Sequence, residues 1–277
     1  MPVRIIESKD NARLKELRKA LAQPPHAGEG LVAIEGPHLV FEALSAGLKV
    51  ETVFVAREFP ALLDLLRLPE EVDVLQLPRK HLESALSTEA PQPIVALVRP
   101  PHWDWEDLLG TRRRDVPLVL VLAALQDPGN LGTILRSAEA FGCTGIIALP
   151  GTVSPWNPKA LRATAGSAFR LPFLQVPADE WIPRLHGGGL SIWSTAAHNA
   201  THASTAALAK PVAIIIGNEG SGVPSEIAAR ADGTLTIPTP GPVESLNAAV
   251  AASILLYEAA RQREMSPARR RPTGGRR

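Results

Sequence analysis

The sequence predicts an α/β fold made of two α/β units. Short apolar runs of strand length alternate with stretches of helical period along most of the 277 residues, which favours mainly parallel sheets covered on both faces. A proline-, acid- and arginine-rich segment without a clear period interrupts this alternation at 99–115. We therefore predict a first domain at 1–98, a linker at 99–115, a second domain at 116–265 and a basic, disordered tail at 266–277.

The first unit opens with a predicted helix. Leu14, Leu17 and Leu21 recur at helical spacing, and Ser8 and Asp10 precede them as candidate N-caps. The face opposite the leucines carries four basic side chains, Arg13, Lys15, Arg18 and Lys19. Such a face is either simply solvated or in contact with a polyanion such as RNA, and the sequence leaves both interpretations open.

Strands and helices then alternate through both units. The first unit is predicted to have strands at 31–34, 52–55, 72–75 and 94–98 and helices at 37–46, 60–66 and 79–86. The second is predicted to have strands at 118–123, 145–149, 191–194, 212–216 and 235–237 and helices at 131–141, near 179–185, at 224–231 and at 245–263. The last helix is apolar on every face, which is typical of a buried helix. Its cover is either its own domain or a second subunit, which motivates a homodimer hypothesis.

The net charge of +1 hides an uneven distribution. Lysine and arginine number 29 against 28 aspartates and glutamates, but the tail at 266–277 holds 5 arginines and no acid. Residues 1–265 are therefore net acidic, which excludes non-specific binding of nucleic acid through a net positive charge. We expect basic groups to act locally, and trimming the tail to weaken RNA binding and its salt dependence.

Several classes of protein lack support. The single cysteine, Cys143, excludes an internal disulfide or a multi-cysteine metal site, and its position between a helix and a strand predicts a small buried side chain. The longest apolar run, 118–125, is too short to cross a membrane, and the charged N-terminus has no signal-peptide core, so we expect a cytoplasmic protein. No P-loop or serine-hydrolase elbow is present. His198 and His202 lack the glutamate of a metalloprotease helix, so we predict no metal.

The first of three motifs in the second unit lies at 125–138, LQDPGNLGTILRSA, directly after an apolar strand. Its apolar positions face inward and leave Asn130 and Arg136 for other contacts, with Asn130 placed to cap the helix. An arginine on an amphipathic helix usually lies in solvent. Near a strand–loop–helix junction it is also well placed to bind phosphate, because backbone N–H groups point at anions there.

Two further motifs follow later strands. At 217–224, GNEGSGVP contains three glycines that allow close approach of a ligand to the backbone beside Glu219. At 235–247, a proline-stiffened loop ends in Ser245 and Asn247 at a helix start. Three such loops at strand ends of one α/β unit predict a ligand crevice there.

Together these motifs resemble those of the SpoU/TrmH family of S-adenosylmethionine-dependent RNA ribose 2′-O-methyltransferases, in the SPOUT superfamily. The matching patterns are N-x-G-x-x-x-R at 130–136, G-N-E-G-x-G at 217–222 and I-P…S-L-N at 237–247. The stretch KALRATAGSAFRL at 159–171 resembles the segment between the first two motifs, so the likeness covers most of the second unit. More loosely, VAIEG at 32–36 and the helix after it resemble the small ribosomal-protein-like RNA-binding domain often fused in front.

The resemblance implies a fold and a site. Family members tie the C-terminal part of their sheet into a deep trefoil knot, bind S-adenosylmethionine in the knot loops and complete the site as dimers. By motif position, the residues that would line the cofactor are Gly217, Ile237 and Leu246. Those that would surround the reacting ribose are Asn130, Arg136, Glu219, Ser245 and Asn247, with Ser245 equally explained as an N-cap. The arginines that would contact RNA are Arg13, Arg18, Arg162 and Arg170. The alternative is a solvated position for the first two and a structural role for the last two.

The implied reaction is a displacement in which the ribose 2′-oxygen attacks the methyl carbon of a sulfonium. Because the donor is already activated, the protein mainly supplies orientation and a path for the proton. The family's candidate base matches Arg136. Arginine keeps its proton up to a pH of about 12, so binding the phosphate next to the target ribose is as consistent a role for Arg136 as acting as the base. For Glu219, orientation by hydrogen bonding fits better than metal binding.

Ribosomal RNA is the expected substrate because of the domain fused in front, and transfer RNA is the alternative. A non-catalytic RNA-binding module of the same fold is a second alternative, although the intact set of Asn130, Arg136, Glu219 and Asn247 argues against it. A nucleotide-dependent oxidoreductase lacks the glycine fingerprint after the first strand. Measuring S-adenosylmethionine binding separates the enzyme from the binding module.

Overall fold

The structure is a computed structural model that describes residues 3–24, 30–86 and 88–265. The predicted α/β class is confirmed. Within these ranges, no helix combines the length and apolar character that crossing a membrane requires. The tail predicted at 266–277 lies outside the described residues.

The chain divides into two compact units. One comprises the described residues of Met1–His102 together with Ser154–Arg170, and the other those of Trp103–Val153 together with Leu171–Arg277. Sequence reasoning had placed 154–170 in the second unit. This segment packs on the first because Gly166 lies directly against the side chain of Glu42, whose carboxylate also forms a 2.6 Å ion pair with Arg170.

The first unit contains a five-stranded sheet. Its elements up to His102 are β1 (Val3–Ile5), α1 (Ala12–Ala22), β2 (Val32–Glu35), α2 (Pro37–Ser45), β3 (Val50–Ala56), α3 (Ala61–Leu66), β4 (Asp73–Leu77), α4 (Arg79–Glu83) and β5 (Ile94–Val98). The strand order is β1-β4-β3-β5-β2, and β5 runs antiparallel to both of its neighbours. The expectation of a mainly parallel sheet was therefore wrong for this unit. A short β-strand such as β1 has no sequence period long enough to be recognised.

Helix α1 begins one residue after its cap. The side chain of Asn11 accepts a hydrogen bond from the backbone N–H of Arg13 at 2.9 Å, so the predicted caps Ser8 and Asp10 were wrong. Leu14 and Leu17 are fully buried, as their spacing predicted.

The remaining elements follow from Trp103 onward. They are α5 (Trp105–Leu108), β6 (Leu118–Leu122), α6 (Pro128–Ala140), β7 (Gly145–Ala148), α7 (Pro158–Thr164), β8 (Phe173–Gln175), α8 (Trp181–Gly187), β9 (Ser191–Thr195), β10 (Thr201–His202), β11 (Val212–Ile216), α9 (Ser225–Ala228), β12 (Gly233–Thr236) and α10 (Ala248–Met265). The α7 helix belongs to the first unit. Four of these elements, α5, α7, β8 and β10, were not predicted, because each is short.

Part of the predicted linker is an ordered helix. Asp104 and Asp107 form a reciprocal capping box at the start of α5, and Leu108 is fully buried in the core of the second unit. Arg112 forms ion pairs with the nearby carboxylates, and its hydrogen bonds lower the pKa of Asp104 to about 2. Residues 103–115 of the predicted linker therefore pack with the second unit, whereas 99–102 belong to the first.

The second unit contains a seven-stranded parallel sheet in the order β10-β12-β9-β11-β6-β7-β8. The central strands β6 and β11 are buried along their whole length and pair in register from Leu118↔Val212 to Leu122↔Ile216. Parallel strands in register end together, so the loops that follow β6 and β11 start side by side at the carboxyl edge. The fold thus brings the first two sequence motifs next to each other.

Helix α10 is buried on one face only. Ala252 and Leu256 are fully buried, whereas Val250, Ile254 and Tyr257 are 47%, 37% and 54% exposed. Of the two covers considered for this helix, its own domain therefore supplies only one, over a single face. The exposed side chains recur at helical spacing and form an apolar stripe that the second unit does not cover.

Candidate active site

Three loops at the carboxyl edge of the seven-stranded sheet are joined by one chain of hydrogen bonds. The Oε1 atom of Glu219, after β11, accepts from the Nδ2 of Asn130 at 3.0 Å. The Oδ1 of Asn130, in the first turn of α6, accepts in turn from the Nδ2 of Asn247 at 3.0 Å. Glu219 and Asn247 follow Asn130 by 89 and 117 positions in the sequence, yet both bind its side chain. Each of the three residues comes from a different motif.

The Glu219 carboxylate accepts three hydrogen bonds. Besides Asn130, it accepts from the backbone N–H of Asp127 at 3.1 Å and of Gln126 at 3.3 Å. Desolvation raises the pKa of Glu219, but the hydrogen bonds from Asn130 and the backbone outweigh it and hold that pKa below its ordinary value. An ionised carboxylate that is occupied by donors orients its neighbours rather than accepting a proton from a substrate.

The cap of α6 differs from the one predicted. Asp127, not Asn130, caps α6, since its side chain accepts from the backbone N–H of Asn130 at 2.7 Å. This leaves the Asn130 amide group for the site. Of the two residues predicted at the start of α10, Ser245 and Asn247, it is Asn247 that caps the helix, because its Oδ1 accepts from Ala249 N at 2.9 Å. Ser245 is exposed and lines the cavity described next.

A cavity of about 240 Å³ opens beside these loops. Its apolar wall includes Ile216, Leu235, Ile237, Leu246 and Leu255. Its polar rim includes Thr195, Asn218, Glu219, Thr239, Glu244 and Ser245. An apolar wall beside a polar rim fits a ligand with a flat aromatic ring at one end and a charged amino-acid group at the other, as S-adenosylmethionine has.

The three predicted cofactor positions, Gly217, Ile237 and Leu246, all lie on the wall of this cavity. Gly217 is required where it stands, because a Cβ there would come within 2.1 Å of the carbonyl carbon of Gly222. The loop therefore closes on itself only with glycine at this position.

Arg136 is not brought to the cavity of its own chain. It is exposed on α6 and forms no hydrogen bond or ion pair with any residue that the structure describes. Six helical positions separate it from Asn130, which corresponds to about 9 Å along the axis and about 120° around it. Asn130, Glu219 and Asn247 thus meet, while Arg136 points elsewhere.

The arginines predicted to contact RNA fall into two groups. Arg13 forms a 2.7 Å ion pair with Glu16, and Arg18 donates to the backbone carbonyl of Lys9 at 3.0 Å. Arg170 is held by the carboxylate of Glu42, as described above. By contrast, Arg162 on α7 is exposed and has no partner among the described residues.

Two other features have a structural explanation. Cys143 is buried and donates to the carbonyl of Leu118 at 3.0 Å, which confirms the predicted small buried side chain, and burial raises the pKa of its thiol to about 11. His198 and His202 are exposed and line a shallow groove. Across the described ranges, no three His, Cys, Asp or Glu side chains come together in a way that could hold a metal ion.

Sequence reasoning missed Asp127 and Asn218. Asp127 stands directly before Pro128, and an Asp-Pro pair is a typical helix start that would have identified the cap. The side chain of Asn218 reaches the backbone of the loop after β6, where its Nδ2 donates to the carbonyl of Ala124 at 2.8 Å. Only the three-dimensional structure shows that contact.

A parallel α/β sheet with a cavity and a polar cluster at its carboxyl edge is typical of enzymes and other ligand-binding proteins. The SpoU rRNA Methylase family matches residues 117–257, and the MRM3-like substrate binding domain matches residues 11–96. The chain belongs to the SpoU rRNA methylase family. The SPOUT fold is thereby confirmed, and the deep trefoil knot stays a prediction.

Relatives extend the match over nearly the whole chain. The 23S rRNA (guanosine(2553)-2′-O)-methyltransferase of Bacillus subtilis (strain 168) is 33% identical over 256 residues, 91% of this chain and 97% of the relative. The crystal structure of the SpoU methyltransferase AviRb from Streptomyces viridochromogenes in complex with the cofactor AdoMet has a TM-score of 0.82 at 29% identity, covering 92% of this chain and 99% of that one. The AdoMet-bound rRNA methyltransferase from Sinorhizobium meliloti has a TM-score of 0.81 at 30% identity, covering 94% and 98%.

Proposed function

We propose that this protein transfers the methyl group of S-adenosylmethionine to a ribose 2′-hydroxyl in ribosomal RNA. The observation that carries the proposal is the hydrogen-bonded set of Asn130, Glu219 and Asn247 beside the cavity. Relatives named as 23S rRNA 2′-O-methyltransferases and AdoMet-bound neighbours support both the substrate class and the cofactor.

The bound cofactor supplies a methyl carbon already activated by a sulfonium, and the chain supplies orientation. Glu219, held ionised, fixes which side of the Asn130 amide is the donor. Asn130 then keeps one N–H and one oxygen lone pair free, and Asn247 keeps one N–H. We assign these free groups to the hydroxyls of the target ribose, which they hold toward the methyl carbon.

Arg136 acts, in this proposal, on the cavity of a second subunit. It lies on α6, which is tied to α10 by a 2.8 Å hydrogen bond from Ser253 to Ser137. The adjacent stripe of Val250, Ile254 and Tyr257 is exposed and apolar. A homodimer through this face would cover the stripe and supply an unpaired arginine to the partner's site, where it binds the phosphate next to the target ribose.

Mixing two inactive variants tests this arrangement. Arg136→Ala keeps an intact cavity, and Asn130→Ala keeps an intact arginine, so a mixed dimer regains one complete site only if the arginine acts across the interface. Recovery of methyl transfer on mixing supports the proposal. No recovery in samples shown by native mass spectrometry to contain mixed dimers would contradict it, as would a wild-type protein that sediments as a monomer at micromolar concentration.

The substrate is tested by mapping 2′-O-methyl groups across ribosomal and transfer RNAs of a deletion strain. We expect one mark to disappear from ribosomal RNA and to return with the wild-type gene. A mark lost only from transfer RNA would support the alternative substrate. No lost mark in either pool would overturn the proposed function.

We further propose that region 1–98 binds the RNA around the target and that region 116–265 carries out the transfer, with 99–115 between them. The match of the MRM3-like substrate binding domain to residues 11–96 supports the first role. The proposed location is the cytoplasm, and fractionation of cells that express a tagged chain tests it.

A further inference from the structure

One residue of the edge loops stands in an unfavourable backbone conformation. Ala124, two residues after β6 ends, has a φ of +57°, a left-handed conformation that alanine rarely adopts. Its β-carbon lies against Gly151, itself left-handed at +87°, where a Cβ would come within 3.1 Å of it. Such a conformation persists only where surrounding contacts hold it.

The side chain of Asn218 supplies one such contact, made to Ala124 itself. Its Nδ2 donates to the carbonyl of Ala124 at 2.8 Å, while its Oδ1 accepts from Gly220 N at 2.9 Å and Ser221 N at 3.3 Å. Its backbone pairs in both directions with Gly222 at 2.9 Å. The oxygen side of the amide is thus occupied within its own loop, and the nitrogen side bridges to the loop after β6.

The hydrogen bond between Asn218 and Ala124, here called the bridge, positions the backbone donors of the Glu219 carboxylate. The turn at Ala124 directs the N–H groups of Gln126 and Asp127 toward the Glu219 carboxylate. Asn218 is the neighbour of Glu219 in sequence and binds the residue at which that turn is made. Fixing Ala124 to Asn218 therefore fixes the carboxylate relative to both of these donors and to Asn130.

We propose that Asn218 is a positioning residue of the methyl transfer, acting through Glu219 on Asn130; this rests on the function proposed above. It lines the cofactor cavity, but its amide nitrogen points away toward Ala124. Loss of the bridge should therefore disturb the orientation of the ribose-binding amide more than cofactor binding.

Two variants keep an acceptor for the turn at 218–221 and remove the hydrogen bond from residue 218 to the carbonyl of Ala124. Asn218→Asp retains acceptors for Gly220 and Ser221 but places a carboxylate oxygen against the carbonyl of Ala124. Asn218→Ser retains a shorter acceptor and leaves no donor within reach. The matched control is Ser221→Ala in the same loop, whose hydroxyl makes only a 3.5 Å contact with Asn218.

The measurements are methyl transfer from tritiated S-adenosylmethionine to ribosomal RNA of the deletion strain, cofactor affinity by calorimetry, and amide hydrogen exchange. We expect kcat to fall about 100-fold in both Asn218 variants, while the Kd for the cofactor stays nearly unchanged. Exchange should accelerate at 124–130 in these variants and not in Ser221→Ala.

Two outcomes overturn the inference: near-normal kcat in both Asn218 variants, or unchanged exchange at 124–130. If Asn218→Asp fails to fold, Asn218→Ser decides. A wild-type protein that methylates no RNA would instead refute the proposed function, and the exchange measurement would still test the bridge.

Discussion

The two units place their polar side chains in different ways. In the seven-stranded parallel sheet, all strands end at one edge, and polar groups from distant loops bind one another there, as Asn130, Glu219 and Asn247 do. In the five-stranded sheet, β5 runs against its neighbours, and several basic groups are paired with acids, such as Arg13 with Glu16. A mixed sheet divides its strand ends between two edges, so fewer loops meet at either one. We call the acid-paired basic groups of the first unit its paired surface.

The largest expected effect is at Arg136, the arginine proposed for the active site, which makes no hydrogen bond or ion pair with any described residue. Arg136→Ala should lower kcat about 10²- to 10³-fold, because a charged donor next to the reacting hydroxyl is lost. Cofactor affinity by calorimetry should stay unchanged, since Arg136 does not line the cavity.

Arg230→Ala is the matched control for this prediction. Arg230 is also exposed in the second unit, and its guanidinium makes only a 3.5 Å contact with the carbonyl of Ala178. Near-normal turnover by Arg136→Ala, with the cofactor still bound, would show that Arg136 takes no part in the methyl transfer.

A smaller effect is expected at Glu219. Glu219→Gln places an amide where two backbone N–H groups and Asn130 all donate. The loss of about one charged hydrogen bond corresponds to about 1.5 kcal/mol, or about tenfold in kcat.

The same variant should alter the pH dependence of stability. The folded pKa of Glu219 lies below its ordinary value of 4.5, so its contribution to stability is present above pH 4.5 and is lost as the pH falls through the folded value. The Tm difference between wild type and Glu219→Gln should be largest near neutral pH and shrink on acidification below pH 4.5. A difference that stays constant down to pH 3 would show that Glu219 is not held ionised by this network.

The sequence predicted elements with a clear apolar pattern and missed contacts that depend on register. Strands 94–98 and 212–216 were placed correctly because continuous apolar runs of that length are typical of buried strands. The reversed direction of β5 was not predictable, since an apolar run is the same read from either end.

For the site, the three motifs identified the loops but not the bonds between them. The Asn218–Ala124 bridge depends on β6 and β11 pairing in register, which no local pattern specifies. The cap of α6 was misplaced by three residues for a related reason. Asn130 is a suitable cap residue, but Asp127 stands where the helix begins. At the start of α10 the sequence left Ser245 and Asn247 open, and only the structure shows that Asn247 is the cap.

The smallest effect separates the arginines predicted to contact RNA. Arg162 has no partner among the described residues, whereas Arg13 is held by Glu16. If one phosphate contact is lost, Arg162→Ala should weaken binding of ribosomal RNA about threefold and reduce the slope of log K against log salt by about 0.7 to 0.9. Arg13→Ala should leave affinity unchanged, because its charge is already neutralised within the unit. Filter binding at several salt concentrations measures both. Equal losses for the two variants would mean that Arg13 exchanges Glu16 for phosphate on binding, and that the paired surface of the first unit recognises charge as well as shape.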